Sequence, residues 1–182
     1  SATKKLNAPK EVKEKLFKEI CKQSKSKKRI MIEFICRKTA DKFYQRLKNT
    51  EIDSQILFIS GLDSVIERKR IIEKVKKLSN LILVATQVVE AGIDIDMDIG
   101  YKDISKLDSE EQFMGRINRS SKKVGYVYFF NLDNAMKIYN GDERVDQRFT
   151  LQNENCKHFL ESKNFTGYYD KLLQIVKDSA NQ

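Results

Sequence analysis

The chain has a single histidine, His158, a single proline, Pro9, and no tryptophan among its 182 residues. One histidine excludes a His-rich metal centre and a His-Asp metal nuclease, both of which need several imidazoles. His158 itself reads as a surface or capping residue. Nowhere is there a G-x-x-x-x-G-K-[ST] run, so no P-loop cradles a β-phosphate. No apolar stretch approaches the roughly 20 residues that span a bilayer. The Lys-rich N-terminus lacks the apolar segment of a signal peptide. These features predict a cytoplasmic protein without a membrane partner. The three cysteines, Cys21, Cys36 and Cys156, are odd in number and far apart. They form no CxxC and read as reduced thiols.

Positive charge is abundant. The net charge is +9, and the first 50 residues hold 16 Lys/Arg against 5 Asp/Glu. A basic third on a near-neutral body suggests a polyanion partner, most simply nucleic acid. A solvated helix face followed by a Lys-rich loop accounts for the same charge equally well.

Periodicity supplies the architecture. Val12, Leu16 and Ile20 predict an amphipathic helix from Pro9 to Lys22, with Pro9 in its first turn. A basic loop, Gln23 to Arg29, follows. Ile30 to Cys36 is almost wholly apolar and reads as a central parallel strand. Thr39 is placed to cap the next helix, on which Ala40, Phe43, Tyr44 and Leu47 share a face. Gln55 to Ser60 is a second strand. Ser64-x-x-Glu67 is a capping-box pattern ahead of a helix carrying Ile71, Ile72, Val75 and Leu78. Leu81 to Ala85 is a third strand, Met97 to Lys102 a weaker fourth, and Gly125 to Asn131 a last one rich in β-formers. Asp108-x-x-Glu111 marks the start of the helix before it. The alternation predicts an α/β fold, a doubly wound parallel sheet. Asn140-Gly141-Asp142 reads as a turn. Phe149 to Leu160 and Tyr168 to Val176 read as helices of a C-terminal extension. The expected division is 1–140 for the α/β domain and 141–182 for the extension.

Two stretches concentrate chemistry. Ala85 to Asp96 follows a buried strand, where an open α/β sheet binds ligands. Within it, Gly92 permits close backbone approach and Asp94 can accept from a ribose hydroxyl; a plain turn with a helix-starting Asp explains both equally well. Thr86 and Gln87 at the strand end can hold a nucleic-acid phosphate or merely cap a short helix. In the second stretch, Gln112 to Arg119, a helix would place Arg116 and Arg119 on one face. Two guanidinium groups aimed at one point suit a γ-phosphate, and Gln112 lies one turn before Arg116.

Together the stretches resemble motifs V and VI of superfamily 2 helicases. Their wording, with Leu107-Asp108-Ser109 just before motif VI, is most similar to the helicase-nuclease of type I CRISPR systems. The resemblance spans about residues 10–140 and implies a RecA-like helicase C-terminal motor domain. It implies that Thr86, with Gln87, touches the nucleic-acid backbone, and that Arg37, Lys38 and Ser60 fall where the family meets the strand. It implies that Gly92, Asp94 and Gln112 line the nucleotide, and that Arg116 and Arg119 are the catalytic arginine fingers. The cofactors implied are ATP and Mg²⁺, both held mainly by a partner domain carrying the Walker motifs, with no metal ligand in this chain. The partners implied are single-stranded DNA, an N-terminal RecA-like domain, an HD nuclease domain and the CRISPR surveillance complex. Phe113 departs from the motif by standing where its first arginine belongs. The expected function is the second motor domain of an ATP-dependent single-stranded-DNA helicase, inactive without its Walker-bearing partner. A restriction-type translocase motor and a non-motor nucleic-acid-binding module are the alternatives.

Overall fold

A computed structural model describes residues 2–87, 93–120, 124–163, 165, 168, 169 and 172, with side chains from residue 9 onward. Its centre is a five-stranded parallel sheet in the order β2-β3-β1-β4-β5. The strands are β1 (Arg29–Phe34), β2 (Gln55–Ile59), β3 (Leu81–Thr86), β4 (Ile99–Asp103) and β5 (Tyr126–Phe130). Every residue of β3 is buried, and in β1 all but Arg29 are. This explains why both read as unbroken apolar runs rather than as alternating ones.

The helices cover both faces, as a doubly wound sheet requires. On one face α1 (Ala2–Ser24) and α2 (Arg37–Lys48) bury Leu16, Phe17, Ile20, Ala40, Phe43 and Leu47 against Ile30, Ile32, Phe34, Ile82 and Val84. On the other, α3 (Val65–Lys77) buries Ile71, Ile72 and Val75 against Met31, Leu81, Leu83 and Ala85. Phe113 and Ile117 join this second core, as do Ile95 and Met97 from the connection between β3 and β4.

Several local expectations change. Pro9 lies inside α1 rather than in its first turn. A proline there forfeits one backbone N–H. The N-cap of α2 is Cys36, without a side-chain bond; Thr39 sits inside the helix and donates its hydroxyl to Asp133 Oδ1 at 3.1 Å. Ser64 does cap α3, accepting from the Glu67 N–H at 3.1 Å. The helix α4 spans Leu107–Met114. The acid that reaches back across its start is Glu110, not Glu111, accepting from the Ser105 N–H at 2.9 Å.

Internal contacts divide the chain into two compact units, one of residues 1–103 and 112–133, the other of residues 104–111 and 134–182. The second unit carries α5 (Ala135–Ile138), the turn at Gly141 with φ +85°, three short 3-10 turns, and α6 (Lys157–Ser162). Helix over Phe149 to Cys156 is replaced by those 3-10 turns, in which Asp142, Asp146 and Asn153 accept from backbone N–H groups two residues on. Such local side-chain bonds compete with continuous helix. Within this unit Arg144 bridges Asp142 at 2.7 Å and Asp108 at 3.0 Å. Most of the stretch 168–176 lies outside the described residues.

Candidate nucleotide and nucleic-acid site

The parallel sheet brings one set of sequence-derived candidates to a common edge. Arg37 and Lys38 follow β1, Ser60 follows β2, and Thr86 and Gln87 end β3, all at the C-terminal ends of their strands. Arg37 and Lys38 are exposed in the first turn of α2, and Gln87 is half-buried. Thr86 is largely enclosed, level with Phe34 in the ladder. Ser60 is fully enclosed; its N–H donates to Asp63, and its hydroxyl has no partner among the described residues.

A second set gathers at the other end of the strands. Arg29 opens β1, and its N–H donates to Asp98 Oδ2 at 2.8 Å. Its guanidinium donates to the Asp96 carbonyl at 2.7 Å and to the Leu78 carbonyl. Asp96 in turn accepts from the Arg119 N–H at 2.7 Å and the Ser120 N–H at 3.3 Å. Arg119 Nη1 donates to Asp94 Oδ1 at 2.9 Å. Arg29 lies five residues before Phe34, so the two edges are about 17 Å apart at 3.3 Å per residue. Asp94 is therefore not at the end of β3, as a simple turn would have it. Ile95 and Met97 are buried in the core, and that draws the chain back across the sheet. Gly92 and the run Val88 to Ala91 lie outside the described residues.

The arginines do not share a helix face. Helix α4 ends at Met114, Ile117 forms a parallel bridge with Met97, and Asn118 turns through φ +49°. The bridge is bonded on both sides, from the Met97 N–H to the Arg116 carbonyl at 3.0 Å and from the Asn118 N–H to the Met97 carbonyl at 2.7 Å. Those bonds require extended backbone, and so the helix stops before Arg116. Arg116 is only 7% exposed, and its guanidinium donates to the Gln112 carbonyl. Burial lowers its affinity for a proton, against the attraction of Glu33. The Arg119 side chain is 54% exposed. Gln112 presents its side chain on the exposed side of α4.

Beneath Arg116 lies a charged pair that periodicity concealed. Glu33 on β1 and Lys102 on β4 are register partners, 3.1 Å apart and both enclosed. They interrupt two otherwise core-facing strands, and such a pair survives burial only with close geometry. Asp96, Asp98, Arg29, Asn118 and Ser120 were also missed as site residues. The alternating Asp94-x-Asp96-x-Asp98 was the available signal. The open groove of about 520 Å³ beside Arg119 is lined by these five residues together with Asp94, Ile95 and Lys76.

The carboxylates respond to their surroundings in opposite ways. Burial tends to raise Asp96, but the Ser120 hydroxyl and the N–H groups of Arg119 and Ser120 outweigh it and hold the carboxyl below its usual range. At the C-terminal end of β4, burial pushes Asp103 up to about 7, with the Asp133 charge adding to it, although the Leu132 N–H donates to it at 2.9 Å. Among the described residues no cluster of three or more His, Cys, Asp or Glu could hold a metal ion. Nor is any helix among them long and apolar enough to cross a membrane.

The strand order and the helices on both faces define the fold of a RecA-like helicase C-terminal domain. The model of the family described as CRISPR-associated nuclease/helicase Cas3, C-terminal, matches residues 26–122, more than half of the chain. The chain belongs to that family. Among solved structures it is similar to T. fusca Cas3 with ATP, at 20% identity and a TM-score of 0.58 over 67% of this chain and 16% of that one. It is also similar to domain 2 of the DEAD-box helicase Mss116p bound to an RNA duplex, at 23% identity and a TM-score of 0.57 over 74% of this chain and 56% of that one. The C-terminal part of the Fun30 ATPase domain matches at 17% identity and a TM-score of 0.55, over 89% and 54% of the two chains. At such identities the likeness is one of fold. The chain spans about a sixth of the Cas3 chains it matches. No curated protein matches it.

Proposed function

We propose that the chain is the second motor domain of an ATP-dependent single-stranded-DNA translocase acting in CRISPR interference in the cytoplasm. The observation that carries this reading is the Arg119 guanidinium, held on an open surface by the carboxylate of Asp94 at 2.9 Å. An exposed ion pair of this kind is worth under about 1 kcal/mol. A phosphate, with more charge and three acceptor oxygens, displaces such a carboxylate readily. Asp96 meanwhile holds the backbone at Arg119 and Ser120, so the side chain can change partner without the loop moving.

This chemistry fits the terminal phosphate of ATP. The chain has no P-loop and no metal-binding cluster among its described residues. The remainder of ATP and its Mg²⁺ fall to an N-terminal RecA-like domain bearing the Walker motifs. When bound, ATP supplies the energy for the motor. Arg119 neutralises charge on the transferring phosphoryl group, and Arg116, buried against Gln112, supports the loop and completes the finger pair. Gln112 and Asp94 line the nucleotide side, and Gly92, outside the described residues, is assigned there by the family resemblance alone. Thr86, Gln87, Arg37, Lys38 and Ser60 form the strand side at the opposite edge. The segment from Thr86 to Asp94 joins the two, which makes it the route by which hydrolysis alters grip. An HD nuclease domain and the CRISPR surveillance complex complete the set of partners.

The test is reconstitution. The purified chain is expected to turn over no ATP, and addition of the Walker-bearing domain with single-stranded DNA is expected to restore turnover. Arg119→Ala should then lower the rate by about a thousandfold, the lower range for an arginine finger. An unchanged rate in both Arg119→Ala and Arg116→Ala, or robust turnover by the chain alone, overturns the assignment.

A further inference from the structure

The basic loop ahead of β1 meets that motor site only through its last residue, Arg29, which with Lys76 and Asp98 also lines the groove of Asp94 and Asp96. It lies at the N-terminal edge of the sheet, where the strand-gripping residues are not. There it forms one wall of a groove of about 580 Å³ whose other wall is the end of α3. Lys27 and Lys28 face it from the loop, Lys76 and Lys77 from the helix, with Arg29 between them and Asp98 as its one acidic lining residue. Asp98 is already engaged by the Arg29 N–H.

The lysines are incompletely neutralised. Lys27 meets Asp53 at 3.6 Å, and Lys76 meets Glu73 at 3.3 Å, both on exposed surface. Lys28 and Lys77 are exposed and have no acidic partner among the described residues. The carbonyl end of α3 carries partial negative charge, which stabilises Lys76 and Lys77 where they stand. It does not offset a patch of five cations.

We infer that this groove is a track for the phosphate backbone of a nucleic-acid strand, separate from the edge that carries Arg37, Lys38 and Thr86. The lining chemistry chooses this occupant over an acidic protein segment. Protein interfaces take their energy from aromatic and arginine anchors seated in pockets. Here the charges are lysine ammonium groups on flexible stems, Arg29 is committed to two backbone carbonyls, and the apolar lining is limited to Leu78 and Val124. Flexible point charges without a stacking platform suit sequence-independent contact with phosphates. The track therefore contributes affinity and steering without reading bases.

The test uses the 182-residue chain with no nucleotide, so its outcome is independent of the motor reading. Binding of a fluorescein-labelled 20-mer of deoxythymidylate is followed by anisotropy from 50 to 300 mM salt. Each contacted phosphate adds about 0.7 to the slope of log affinity against log salt for a single strand. Lys28→Ala with Lys77→Ala is therefore expected to reduce the slope by about 1.4 and to weaken binding roughly tenfold at the lowest salt. The same loss should appear in a chain already carrying Arg37→Ala and Lys38→Ala, because the two edges act separately. Circular dichroism checks that the variants fold, which the exposure of both lysines favours. Affinity and slope unchanged by the Lys28/Lys77 pair overturn the inference. It is equally overturned if a polyglutamate peptide binds through these lysines and the oligonucleotide does not.

Discussion

The two edges of the sheet solve opposite problems. At the C-terminal edge the strands end in enclosed polar groups: Thr86, Ser60 and, at the end of β4, Asp103. At the N-terminal edge Arg29, Asp96 and Asp98 are only half-buried, and Asp94 and Arg119 pair on the surface. Burial dominates at the first edge and pushes Asp103 up to about 7. Hydrogen-bond donors dominate at the second and hold Asp96 low. An enclosed carboxyl adds rigidity but keeps little affinity for its negative charge. An exposed one keeps its charge and exchanges partners freely. The difference suits an edge that holds its shape and an edge that releases an arginine on demand.

The largest effect that would sharpen this contrast concerns pH. The Asp103 carboxyl titrates near 7 in the folded protein and near 3.8 when unperturbed. Between those values the folded protein retains a proton that the unfolded chain has released. Stability is therefore expected to fall as pH rises from about 4 to 7 and to level off above, by up to about 4 kcal/mol. Urea unfolding at pH 5 and pH 8 measures the difference, and Asp103→Asn should shrink it. Asp96 acts in the opposite direction, with its contribution lost as pH falls through its lowered value, so an overall rise in stability between pH 5 and 8 would break the comparison.

A smaller effect comes from the core under the open edge. A Cβ built on Gly100 would stand 2.6 Å from Phe113 and 2.7 Å from Ile117. Gly100→Ala must push back the Phe113 ring and the Ile117 side chain, at a cost of about 2 kcal/mol. Chemical denaturation gives the number, and amide exchange should report the change around Arg116 to Ser120 rather than around Thr86. The smallest effect is at the surface pair itself. Asp94→Ala is expected to cost less than about 1 kcal/mol, because the pair is exposed. A loss above 2 kcal/mol in thermal unfolding would mean that the pair holds the edge together rather than waiting for a phosphate.

Much of the fold was legible because strands buried on both faces must be apolar: Ile30 to Phe34 and Leu81 to Ala85 needed no tertiary information. The helix at α3 was equally plain from Ser64 and its apolar repeat. The site was legible as residue types but not as geometry. Arg116 and Arg119 read as one helical face because three-residue spacing assumes that the helix continues. Phe113 looked like a defect in a motif, yet it is 1% exposed and packs against Gly100. Glu33 and Lys102 could not be paired from the sequence, because a cross-strand pair has no short-range signature.

By itself the sequence determined the five strands, the apolar faces of the helices that pack on them and the two stretches that carry the resemblance. These depend on local propensity and on how much of each strand must leave water. Tertiary structure decided where the helix before Arg116 stops, through the backbone bonds between Met97 and the loop. It also decided that Asp94 pairs with Arg119 at the opposite edge from the end of the strand that precedes it. Burial of Ile95 and Met97 turns the chain back across the sheet, and that contact with Ile71, Val75 and Phe113 exists only once α3, α4 and the sheet have met.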